Sequence, residues 1–152
     1  MKKLLALILT VALIASMSVT AFAENTTGGD ADITTSIAPT YTVTIPADVN
    51  VQFNATETAF GTIEVTASQI HPDKCIKVAL ATDNELNNAI DNTKVIPYAI
   101  KDSEGAAFTS ATYLTEGDKT ELSIHITAND WNAAYAGDYS DTVTFTVSYE
   151  DK

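Results

Sequence analysis

Thr40-Tyr41-Thr42-Val43-Thr44-Ile45-Pro46-Ala47 stands near the start of the sequence and Thr142-Val143-Thr144-Phe145-Thr146-Val147-Ser148-Tyr149 near its end. In both, apolar side chains take the odd positions and threonine or serine the even ones up to the turn residue Pro46, the period of two that sets one face of a strand in a core and the other in water. The pattern recurs between them at Val49, Val51 and Phe53, at Ile63 and Val65, at Ile76, Val78 and Leu80, at Ile96, Tyr98 and Ile100, and at Leu122, Ile124 and Ile126. Turn chemistry punctuates these runs: Pro46-Ala47-Asp48, His71-Pro72-Asp73, Ser103-Glu104-Gly105, Glu116-Gly117-Asp118 and Ala136-Gly137-Asp138. About seven short strands separated by turns predict an all-β fold, an immunoglobulin-like antiparallel β-sandwich over residues 40 to 152.

Two stretches break the alternation. Residues 83 to 90 are polar and read as a loop or a short helical turn. Residues 129 to 135, with Asn129 or Asp130 as a cap, read as a single helical turn leading into Tyr139. Tyr139 follows a turn and starts a strand, the place of a tyrosine corner whose hydroxyl bonds backbone upstream.

Outward from the sandwich, residues 24 to 39 hold mostly Thr, Gly, Asp and Ser, too little apolar surface for a core of their own. Their sizeable apolar residues, Ile33 and Ile37, fall in phase with Tyr41, Val43 and Ile45, so residues 31 to 45 read as one long extended strand. Such a strand either pairs within its own sheet or adds to the open edge of a neighbouring molecule, and Ile33, Ile37, Tyr41 and Val43 are the strand-addition candidates. Pro39 marks an edge position or a break in both cases.

Ahead of this segment, Lys2 and Lys3 precede an apolar run from Leu4 to about Val19, then Ala21-Phe22-Ala23. That is the pattern of a secretory signal peptide over residues 1 to 23, cleaved after Ala23. The expected product is secreted, extracellular or held at the cell surface, without membrane insertion. It keeps six lysines and no arginine against twenty acidic residues, a net charge of 6 − 20 = −14. Such a surface repels phosphate backbones and anionic lipid, which argues against nucleic-acid partners.

Chemistry-bearing residues are few. Cys75 has no partner for an intramolecular bridge, and its place on the polar side of a strand, with Lys77, predicts partial exposure and a thiol open to intermolecular pairing. His71 and His125 are distant in sequence, and His125 falls on a polar face with Glu121, Ser123 and Thr127. No G-x-S-x-G, H-E-x-x-H, P-loop or C-x-x-C motif occurs. The reading is therefore a non-enzyme, with no catalytic, cofactor or metal residues assigned. Paired acids such as Asp83 with Glu85 or Asp138 with Asp141 leave calcium as an alternative, and Trp131 with Tyr135 form a candidate platform for a glycan.

The closing run, Ala136-Gly137-Asp138-Tyr139-Ser140-Asp141-Thr142-Val143-Thr144-Phe145-Thr146-Val147, resembles that of spore coat protein U and related pilin-like secreted domains. With the run at Thr40 it also resembles small immunoglobulin-like surface proteins of Gram-positive bacteria. The resemblance implies a non-catalytic sandwich used in extracellular coats, fibres or adhesion, with other subunits or copies of itself as partners and donor-strand assembly. The expected function is a structural or adhesive surface subunit; the alternative is a small extracellular module that binds glycan or calcium.

Overall fold

A computed structural model describes residues 30 to 152, so the signal-peptide expectation over residues 1 to 23 lies outside the described residues. The chain divides between Thr35 and Ser36. Asp30 to Thr35 carry no strand or helix, and every element among the described residues lies in the unit Ser36–Lys152. In chain order these are β1 (Thr40–Thr44), β2 (Glu57–Gln69), β3 (Lys74–Ala81), β4 (Glu85–Asn88), β5 (Val95–Pro97), β6 (Ala99–Asp102), β7 (Ser110–Tyr113), β8 (Lys119–His125), α1 (Ala128–Ala133), β9 (Tyr139–Ser140) and β10 (Thr144–Asp151).

All pairings among the described residues are antiparallel. One sheet runs β1-β2-β8-β6, a second β10-β3-β7, and a small third β5-β4-β9. The first two form the sandwich, because the apolar faces predicted by alternation meet in one core: Ile63 and Val65 of β2, Ile100 of β6, and Leu122 and Ile124 of β8 against Ile76 and Val78 of β3 and Tyr113 of β7. The third sheet joins that core through Ile96 and Leu86. Each fully buried Val or Ile contributes roughly 1.5–3 kcal/mol by leaving water, and six such side chains are fully enclosed. Burial therefore holds the domain together without a covalent staple.

The all-β antiparallel architecture is as expected; the strands are divided differently. There are ten. The run at Ile96, Tyr98 and Ile100 is broken at Tyr98, after Pro97, into β5 and β6, which pair with different neighbours. The alternating Val49, Val51 and Phe53 form no strand. Residues 83 to 90, read as loop or helical turn, contain β4, whose polar side chains are no obstacle because β5 and β9 hold it through the backbone. The helical turn begins one residue earlier than expected: Thr127 is its cap, accepting the Asp130 N–H at 3.2 Å, rather than Asn129 or Asp130. The tyrosine corner is present, with the Tyr139 hydroxyl donating to the Tyr135 carbonyl at 3.0 Å.

Candidate strand-docking groove

β1 and β10 are edge strands of the two main sheets, each hydrogen-bonded on one side only. Register fixes which of their faces points inward. Val43 lies opposite the fully buried Val65, while Val147 and Tyr149 lie opposite the fully buried Val78 and Ile76. Inward-facing side chains of a closed sandwich are covered by the opposing sheet, yet Val147 is 38% exposed and Tyr41 36%. Ile45, which continues the apolar phase of β1, is 47% exposed. The two sheets are thus open along this side.

At one end the opening is bridged by Tyr41 of β1 stacked on Tyr149 of β10, ring centroids 5.7 Å apart. Beyond that bridge lies a groove of about 580 Å³. Ile45, Val49, Val51, Val143 and Phe145 line it, core residues Ile100 and Ile124 reach it, and Asp48, Asp141 and Thr142 add a polar share to its lining. Phe60, the extra residue at the bulge between Ala59 and Gly61 of β2, turns into this space and meets Phe145 with centroids 6.0 Å apart. Gly61 permits the bulge: its φ is +138°, and a Cβ there would stand 3.1 Å from the Pro46 Cβ. One polar cluster borders the groove. The Asp141 carboxylate accepts from the Tyr98 hydroxyl at 2.5 Å, from Thr82 Oγ1 at 3.1 Å and from the Thr142 N–H at 2.6 Å. Burial first, and then the bond to Asp141, holds the Tyr98 phenol well above the usual tyrosine range. The cluster ties the approach to β10 onto the junction between β5 and β6.

The chemistry on offer is that of a sheet edge. β10 presents eight residues of backbone whose outer N–H and C=O groups are free for another strand, about 27 Å at the antiparallel rise; the groove adjoins its first end at Phe145, and the part-exposed Val147 follows on the inward face. A long, apolar-flanked free edge is a template for pairing with another chain.

The remaining candidates are placed as follows. Of the strand-addition residues, Tyr41 and Val43 lie in β1, paired with β2, while Ile33 and Ile37 precede it in a stretch without a strand and have exposed side chains. Cys75 corrects the expectation of partial exposure: it is 5% exposed, because its small side chain sinks beside the end of β10, Sγ 3.7 Å from the Asp151 carbonyl. Trp131 is half-buried packing, its Nε1 donating to the Ala55 carbonyl at 2.8 Å and its ring edge-to-face with Phe53. Tyr135 stands exposed, with Lys94 Nζ 5.2 Å above its ring. His125 Nε2 lies 2.9 Å from Ser123 Oγ and 3.9 Å from Glu57 Oε1. Serine and carboxylate therefore share one ring nitrogen, whereas a catalytic triad needs the acid on the other. Among the described residues no group of three His, Cys, Asp or Glu side chains is arranged to hold a metal ion, and no helix is long and apolar enough to cross a membrane. The groove itself is the feature that sequence reading missed. Its only signal was the run at Val49, Val51 and Phe53, a strand pattern left over once the edges are paired.

No protein-family model matches this chain. No curated protein matches it. Among solved structures, the chain is similar to one in the study "Chaperone-tip adhesin complex is vital for synergistic activation of CFA/I fimbriae biogenesis", with a TM-score of 0.46 and 11% sequence identity. The similarity covers 71% of this chain and 42% of that one, so this chain spans less than half the length of that relative.

Proposed function

We propose that this chain is a secreted, non-catalytic structural or adhesive subunit of a bacterial extracellular coat or fibre, joined to neighbouring copies by β-strand addition. The donor is the segment of residues 31 to 39, with Ile33 and Ile37 facing the acceptor, and the acceptor is the free edge of β10 in the next copy. The observation that carries the reading is the open side of the sandwich: inward-facing Val147 and Tyr41 are more than a third exposed, and a groove of about 580 Å³ lined by Ile45, Val143 and Phe145 opens on the same side. Nine donor residues match the eight of β10 in length, and every second donor side chain would face inward. Polar donor positions such as Thr34 and Ser36 then face water.

Light scattering with negative-stain microscopy on residues 24 to 152 and on residues 40 to 152 tests the reading. Oligomers or fibres are expected from the longer chain alone. Two folded monomers would remove self-assembly, and the acidic loops and the Trp131 and Tyr135 end would then be tested for calcium and glycan.

A further inference from the structure

A second segment of the same chain also faces the groove. Residues 45 to 53 make up most of the connection from β1 to β2, Ile45 to Val49 and Val51 line the groove, and Val49, Val51 and Phe53 keep the alternation of a strand without being one. Among the described residues, the backbone of Ala47 to Val51 makes no hydrogen bond to other backbone; the one backbone bond of this strap is its closing turn, the Ala55 N–H donating to the Gln52 carbonyl at 3.0 Å. Asp141 to Val143 is equally unpaired: the Thr142 N–H is taken by the carboxylate of Asp141, one residue away. Two stretches with unpaired backbone thus line one groove. The strap has a pivot at each end, Pro46 packed against Gly61 and Asn54 at φ +66°. Between them it is held by side chains alone, Val51 against the core and Phe53 edge-on to Trp131, while Val49 is exposed.

We infer that the strap is a built-in competitor for the groove: in the unassembled chain it exchanges between its unpaired position and one paired with the Asp141–Phe145 edge, and it is kept off that edge when the donor segment of another copy arrives. The inference rests on the strand-addition reading for its purpose, and its physical content is independent of it. A free edge beside such a groove is an aggregation hazard, and an internal strand that covers it lowers the population able to accept a partner by the fraction of time it is docked. Assembly then proceeds at a rate set by the strap as well as by the donor.

Hydrogen exchange on the full mature chain carrying Ile33→Asp, which removes the donor's apolar contact, reads the strap directly. Slowed exchange at Ala47 to Val51 together with Val143 and Phe145 is expected, and its loss in both stretches when Asn50→Pro removes one strap N–H. Fast exchange at Ala47 to Val51 before that substitution overturns the inference, whether or not the wild-type chain assembles. In the wild-type background Asn50→Pro is expected to raise the initial rate of assembly about fivefold or more, with the same final polymer. An unchanged or slower rate in a protein that does assemble also overturns it. Absence of assembly in both backgrounds counts against the strand-addition reading alone, since the exchange result stands by itself.

Discussion

Val147→Lys separates a core role for the open side of the sandwich from a docking role. Val147 sits on the inward face of β10 opposite Val78, which is fully buried, yet is itself 38% exposed. Complete burial of a valine contributes roughly 1.5–3 kcal/mol, so the buried three-fifths or so of Val147 is worth about 1–2 kcal/mol to the folded monomer. A lysine there can lay its stem along the inward face and carry its ammonium into solvent through the open edge. The expected loss is therefore about 1–2 kcal/mol, read by urea unfolding in the Ile33→Asp background to keep the chain monomeric. Val78→Lys, at the paired position, would place an ammonium inside the core and should prevent folding outright. Assembly should respond in the opposite proportion: Val147→Lys places a charge where the donor's isoleucine would pack, and light scattering should show monomers only. Two results refute the reasoning. A loss above about 3 kcal/mol would mean that Val147 is enclosed core, and normal assembly by a folded Val147→Lys chain would mean that this face receives nothing.

Cys75 is expected to react slowly with thiol reagents in the native chain and fast after urea, and non-reducing gels should show no covalent dimer; rapid native labelling would contradict its burial. Gly137→Ala should lower stability by about 1–3 kcal/mol, since φ there is +144° and the new Cβ would lie 2.7 Å from Asn88 Nδ2; a thermal melt unchanged from wild type would show that this corner relaxes freely. The raised Tyr98 phenol links stability to alkaline pH: a group whose folded pKa lies above its unfolded value contributes stability that is complete below about 10 and lost as pH rises toward the folded value. Tyr98→Phe should be less stable than wild type near neutral pH and lose less above pH 10, and parallel curves across that range would remove Tyr98 as the source.

The sandwich was legible because its core strands obey local rules. Ile63 and Val65, Ile76 and Val78, and Leu122 and Ile124 alternate with polar neighbours and all point inward. Tyr139 was legible too, as a corner tyrosine defined by the turn before it. β4 was not, since Glu85–Asn88 offers almost no apolar signal and is held by backbone pairing to strands around it. The strap misled for the converse reason: Val49, Val51 and Phe53 have strand periodicity, but periodicity assigns faces and supplies no pairing, and here their backbone pairs with no strand. Cys75 misled because alternation assigns a face and cannot register the end of β10, some 75 residues later, lying over it. The groove left only the indirect trace at Val49, Val51 and Phe53, because it is a gap between edges of two sheets whose strands, β1 and β10, stand about a hundred residues apart.

Cross-linking between copies tests the central claim most directly. With Cys75→Ser removing the native thiol, Ile33→Cys or Ile37→Cys is placed in one preparation of the mature chain and Val147→Cys in another, and the two are mixed under mild oxidation. A donor strand lying along β10 brings one of the donor thiols beside Val147→Cys within disulfide geometry, so the account expects a disulfide-linked pair containing one chain of each kind, formed only in the mixture and abolished by Ile33→Asp in the Ile37→Cys donor. Efficient assembly without any such mixed pair, or mixed pairs no more abundant than those with a cysteine on the far edge at Ser110→Cys of β7, would contradict it.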